Sequence, residues 1–343
     1  MYVLYRVNIF VPSLDQLMRS PPTISLPPTA TTMNVAPPLK QTLDWSELEL
    51  WQRDNPGIQT GYRRLTYSWV ACLKTLTWWH NETGRQSLFI LLKLRNQVNI
   101  WSHLLGALGL IVVLLFSLYN GNYLSFALPD TDSLAGISTQ GDETIFTVFL
   151  AGAFICFSCS AVFHSALCHS EPIAKYMNRV DYFGILALGT VNYFPTFHYA
   201  FFCEPGLRNL YIALMTASGS TGIYLACSPT YASPEYRRMR TYTFFACGGV
   251  VLVPFVHAIC RKGYQQADQA ISFRWIVVEA MFYVIGALLY SERFPESRWP
   301  GRFDLIGSSH QVFHICSLLA VLAHCQSIVT SFRYWHVVRG GIC

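Results

Sequence analysis

The sequence predicts an all-α membrane protein, a bundle of seven transmembrane helices with its N-terminus cytosolic and its C-terminus outside. Three observations carry that expectation. The chain is 52% hydrophobic and only 13% charged, about half of the roughly 25% charge usual in soluble domains, so its composition suits lipid as solvent. Several stretches reach the ~20 mainly apolar residues that a helix needs to cross the hydrocarbon core. Lys and Arg are spread unevenly over the segments between those stretches, which sets an orientation.

Taken in order, the apolar runs are Val98 to Tyr119, Thr144 to Cys168, Tyr182 to Phe202, Leu210 to Cys227, Tyr242 to Cys260, Trp275 to Tyr290 and His310 to Thr330. The sixth is short. Pro195 and Pro254 fall within the third and fifth, where kinks are expected because neighbouring groups in a membrane bundle can satisfy the freed carbonyl. The flank before the first run holds Arg63, Arg64, Lys74, Arg85, Lys93 and Arg95, whereas the loop from Asn120 to Glu143 holds no Lys or Arg. The positive-inside rule therefore puts the N-terminus in the cytosol. Later cytosolic loops would carry Lys175 and Arg179, then Arg237, Arg238 and Arg240, then Arg293, Arg298 and Arg302. The opposite side would carry Arg208, then Arg261, Lys262 and Arg274, then Arg333 and Arg339. This order is the inverse of a G-protein-coupled receptor.

The remaining segments follow from composition. Residues 1–44 include the run PPTISLPPTATTMNVAPP, which cannot bury enough apolar area to offset ordering entropy, so a disordered cytosolic tail is expected. Met1 to Leu14 lacks a small-residue cleavage site and does not read as a secretory signal. Residues 45–97 form a cytosolic juxtamembrane segment, 98–335 the membrane domain and 336–343 a short tail. The net charge of +5 is dispersed without a basic face, which argues against a nucleic-acid partner. Most of the 11 cysteines lie in apolar stretches as small hydrophobes, so no disulfide framework follows. Cys156 and Cys159 have CxxC spacing but no second pair to complete a metal site.

Histidines and carboxylates inside spans are costly and usually mark sites. His310 and His314, in SHQVFH, stand at i, i+4 and so share one helix face within chelating reach. Ser160 and His164, in SAVFH, repeat that spacing near the end of the second span, and Asp181 opens the third. On the predicted topology His164, His310, His314 and Asp181 all lie at the cytosolic face. Three imidazoles are the donor set that suits zinc, with water or a carboxylate in the fourth position. The competing reading has these histidines simply solvated at helix ends. His324, ten residues beyond His314 or about 15 Å along a helix, is read as a packing residue, as are His198 and His257 near the opposite face. Glu279 is expected to snorkel or pair near the outer end of the sixth span. No internal repeat and no polar path across the membrane are apparent, which disfavours transport.

Six motifs carry a wider resemblance: GYR at Gly61 to Arg63, HNET at His80 to Thr83, NIWSHLLG at Asn99 to Gly106, SAVFHSALCHS at Ser160 to Ser170, VDYFGI at Val180 to Ile185 and PGRFDLIGSSHQVFH at Pro300 to His314. On these the chain resembles the progestin and adipoQ receptor family, with its adiponectin receptors, fungal zinc-homeostasis membrane proteins and hemolysin III-like proteins, from about Thr60 to Trp335. The resemblance implies zinc on His164, His310 and His314, with Asp181 as base and proton shuttle and Ser160 bonding the substrate or developing oxyanion. It further implies either zinc-dependent hydrolysis of a ceramide-like lipid amide or reception of an extracellular peptide or protein ligand, the latter meeting Asp130, Asp132, Asp142, Glu143 and the C-terminal tail. Roles in lipid signalling and metal homeostasis go with it. One departure stands out: GRQSLFILLKLRNQ, Gly84 to Gln97, separates HNET from NIWSH where the family nearly joins them. A retained intron is the expected cause, and the block displaces Glu82 from its usual register.

Overall fold

The computed structural model describes residues 41–77, 80–81, 98–119, 138–231 and 233–343, and the chain from Thr42 to Cys343 is one compact unit. The segment Gly84 to Gln97, the loop acids Asp130 and Asp132, and nearly all of the Pro/Thr-rich tail lie outside the described residues. A two-residue strand β1 (Thr42–Leu43) pairs antiparallel with β2 (Tyr62–Arg63), and helix α1 (Trp69–Thr75) follows. The bundle comprises α2 (Val98–Tyr119), α3 (Gln140–Ala166), α4 (Glu171–Val191), α5 (Phe194–Ala200), α6 (Pro205–Ala226), α7 (Arg237–Gly249), α8 (Leu252–Lys262), α9 (Tyr264–Ile271), α10 (Phe273–Glu292) and α11 (Ser309–Phe332). A π-helical turn, Arg333–Val338, extends α11.

Among the described residues, five segments are long and apolar enough to cross a membrane: Val98–Ser117, Gln140–Ala166, Arg237–Lys262, Phe273–Glu292 and Ser309–Val338. They correspond to the first, second, fifth, sixth and seventh predicted spans. The third corresponds to α4 with α5 and the fourth to α6, which are less apolar because α4 opens with EPIAKYMNRV and α6 carries four Ser or Thr. Both predicted kinks are present. Proline lacks an N–H and clashes with the carbonyl four residues back. For Pro195 that residue is Val191, where α4 ends, and for Pro254 it is Val250, where the fifth span breaks between α7 and α8.

Neighbours in the chain are neighbours in space: α2 packs on α3, α3 on α4, α4 on α6, α6 on α7, α7 on α10, α10 on α11, and α11 returns to α2, closing a ring. Lipid gives helices no hydrophobic reason to associate, so close packing of small residues has to do so. A Cβ on Gly152 of α3 would collide with Val191 Cγ2 of α4, and one on Gly286 of α10 would lie 2.8 Å from Cys316 Cβ of α11. Inside the ring sit Phe146, Phe149, Phe157, Phe197, Phe201, Phe332 and Trp335.

Two attachments fix the ends. Glu296 accepts hydrogen bonds from the Ser309 amide (2.8 Å) and Asn55 (3.0 Å), and Asp304 accepts from the Gln59 amide (2.9 Å) and Thr60 hydroxyl (2.8 Å). The juxtamembrane segment is thereby joined to the loop that starts α11. At the far end Cys203 and Cys343, 140 residues apart, form a disulfide. That corrects the expectation that the cysteines imply no disulfide: an apolar setting identifies small packing thiols but is silent on a pair at the two helix ends.

A candidate metal centre

α3 delivers His164 in its last turn, with Ser160 one turn earlier on the same face. α11 starts at Ser309 because Glu296 takes the amide and hydroxyl of that residue, so His310 stands in the first turn and His314 one turn on. His310 Nε2 is 3.1 Å from His164 Nε2, and the donor nitrogens of His164, His310 and His314 all lie within 4.8 Å of one another. A tetrahedral metal ion bound at ~2.0–2.1 Å separates its nitrogens by roughly 3.3 Å, so this donor set fits one. His164 and His314 are buried and His310 is half-buried.

The backbone carbonyl at His164 is itself fixed. Arg63 Nη2 donates to it, while Nη1 donates to the Ser165 carbonyl (3.2 Å) and the Thr75 hydroxyl (3.0 Å). Asp181 is buried close to Ser160 and His164. It stands ten residues inside α4 rather than opening the third span, because that helix starts at Glu171. A small cavity adjoins it, lined by Asp181, Tyr182, Phe244, Tyr290 and Phe313 together with Arg237 and Arg240. Sequence reasoning missed His103, which is buried with its ring stacked 3.9 Å from that of His314. Its place in NIWSHLLG, four residues after Asn99 on an apolar helix, was the available signal.

Two further buried polar groups lie away from the triad. Of the two expectations for Glu279, pairing is the one seen: it is fully buried, accepting hydrogen bonds from His324 Nδ1 (2.7 Å) and Asn192. His324 is therefore a paired residue rather than an apolar packing one. At the other end Asp142 is buried and bonded to Thr139, Tyr199 (2.9 Å) and His198 (3.2 Å), with His336 Nε2 3.0 Å away. It is not on offer to an external ligand, and His198 has a specific partner. His257 also pairs, with the Tyr211 hydroxyl at 2.6 Å.

With this geometry established, comparison with known proteins decides the family. The model of the haemolysin-III related family matches residues 92–325. The chain belongs to that family. Among similar proteins, the ADIPOR-like receptor IZH1 of Eremothecium gossypii is 30% identical over 296 residues, covering 86% of each chain. The ADIPOR-like receptor IZH2 of Saccharomyces cerevisiae is 30% identical over 299 residues, 87% of this chain and 86% of its own. The adiponectin receptor protein of Drosophila melanogaster is 30% identical over 290 residues, 84% of this chain but 59% of its own length. As a haemolysin-III related protein with several apolar crossing helices, the chain is an integral multi-pass membrane protein.

Proposed function

We propose that this is a zinc protein of seven transmembrane helices, N-terminus cytosolic, that hydrolyses a ceramide-like lipid amide. The observation that carries it is the convergence of His164, His310 and His314 beside Asp181 and Ser160, next to a small cavity. Imidazole donors without thiolate suit zinc among the common ions. Zinc held there would lower the pKa of a water and polarise the amide carbonyl. The three imidazoles fix the site from α3 and α11. Asp181 takes a proton from the attacking water and returns it to the leaving amine. Ser160 orients Asp181 and can donate to the developing oxyanion. Tyr182, Phe244 and Phe313 offer an acyl chain an apolar wall and keep bulk water from the reacting atoms.

One feature supports the orientation. The disulfide Cys203–Cys343 lies at the helix ends away from the histidines, and disulfides persist in oxidising compartments.

Reception of an extracellular ligand with zinc as a structural ion is the second reading. It is favoured by relatives named as receptors and by the covalent tie that holds the outer end in one shape. The deciding experiment is ceramide hydrolysis by purified protein in detergent, with zinc quantified in parallel, for wild type, His314→Ala and Asp181→Asn. Zinc-dependent fatty-acid release lost in both variants establishes the hydrolase. Stoichiometric zinc without turnover on any ceramide leaves the receptor.

A further inference from the structure

Where the juxtamembrane segment meets the end of α3, two thiols face each other. Cys72 of α1 and Cys168, in the turn after α3, bring their sulfurs to 3.3 Å, and both are buried. The packing around them is specific. The Thr66 hydroxyl lies 3.2 Å from Cys72 Sγ and donates to the Cys168 carbonyl (3.1 Å), which also accepts from the Thr66 amide (2.8 Å). The Thr75 hydroxyl donates to the Cys72 carbonyl (2.7 Å), and the Trp69 ring packs 4.8 Å from that of His169. Neither thiol takes part in the chemistry assigned to the metal centre.

We propose that Cys72 and Cys168 form a peroxide-reactive dithiol that closes to a disulfide and, through Arg63, loosens the hold of His164 on its metal. The second half of this rests on the zinc reading above. An S–S bond is about 2.05 Å long, so closure asks the sulfurs to approach by about 1.2 Å. Two such thiols need distinct roles, one attacking and one resolving, and the surroundings supply them. The mutual thiol hydrogen bond, and then the Arg63 guanidinium, hold Cys168 below the ordinary thiol value, while Cys72 is raised by that same bond and by burial. The Cys168 thiolate attacks one peroxide oxygen; the O–O bond breaks and the departing hydroxide takes a proton to become water. The resulting sulfenic acid is attacked by Cys72, whose proton leaves with the hydroxyl as a second water. Two thiols and one peroxide thus give one disulfide and two waters.

The structural transmission is short. Thr75, one turn beyond Cys72 on α1, accepts from Arg63, which donates to the carbonyls of His164 and Ser165. Drawing α1 towards Cys168 shifts that guanidinium and with it the last turn of α3, from which His164 reaches His310.

The test treats purified full-length, zinc-loaded protein with graded hydrogen peroxide, maps peptides without reduction, and follows zinc passing to a colorimetric chelator. Cys260, an exposed free thiol, reports that the peroxide has acted. A Cys72–Cys168 linked peptide is expected in wild type, absent in Cys168→Ser and reversed by dithiothreitol. Zinc should leave several-fold faster from the oxidised than from the re-reduced wild type, a comparison that needs no variant to fold. If Cys260 is oxidised and no linked peptide forms, the proposal is overturned. A linked peptide with unchanged zinc release overturns the coupling to His164. Protein that holds no zinc in either state removes the zinc reading, while the peptide map still decides the dithiol.

Discussion

His324 donates through Nδ1 to the Glu279 carboxylate at 2.7 Å, and neither side chain is exposed at all. An ionisable pair in a membrane interior is costly to form and more costly to break, because the surviving partner is left buried and uncompensated. Glu279→Ala should destabilise the protein by about 3–5 kcal/mol. Glu279→Gln keeps an acceptor for His324 and should lose clearly less. Thermal unfolding in detergent measures both, and equal losses for the two variants would sink the idea that the hydrogen bonds matter.

Metal removal should lower stability. A ligand bound to the folded state alone contributes about 2.7 kcal/mol at a hundred times its dissociation constant. Apo-protein prepared with a chelator should therefore melt below the zinc-loaded form, and zinc should restore it. His314→Ala, which removes a buried donor, should show no such restoration. A full zinc-dependent rise in that variant would argue that the ion sits elsewhere.

Helix approach in the ring is tested at Gly152. A methyl group there meets Val191 Cγ2, and a β-branched valine in a helix has little rotamer freedom to move aside. Gly152→Ala should cost about 1–3 kcal/mol, as overpacking does. Adding Val191→Ala removes the clashing atom, leaving the next contact at 3.6 Å, and should recover part of the loss. Additive losses in the double variant would show that the α3–α4 packing is not the cause.

The bond between Cys203 and Cys343 should be visible as two cysteines protected from alkylation in non-reducing conditions, leaving nine reactive once the protein is unfolded. Cys343→Ser should lower stability by about 2–5 kcal/mol, the usual cost of losing a native disulfide. Eleven reactive thiols in the unreduced protein would rule the bond out.

The histidine cluster was legible because chelation would impose local spacing: two i, i+4 patterns at span ends already singled out His164, His310 and His314. The pairing of Glu279 with His324 was not, since it depends on the register between two facing helices, and periodicity along one chain holds no such information. Asp142 looked like loop charge because the apolar run starts at Thr144. The Thr139 capping box begins α3 a turn earlier and carries that carboxylate inside. The GYR motif was recognisable without its reason, which is the contact of Arg63 with the carbonyl of His164, 101 residues away. Of the fold, the apolar runs and both kinks could be read. The polar start of α4 could not, because those eleven residues belong to a helix without being apolar.

Closure of the ring by α11 bears on how the molecule is made. His164 and His310 are 146 residues apart, and α11 supplies two of the three imidazoles as well as the surface that meets α2. A nascent chain halted anywhere before its final helix has inserted therefore owns a single imidazole of the triad and an open bundle edge. Completion of the histidine triad and sealing of the wall become one late event in biogenesis, and a truncated product leaves the ribosome with an unsealed flank and one imidazole of the three.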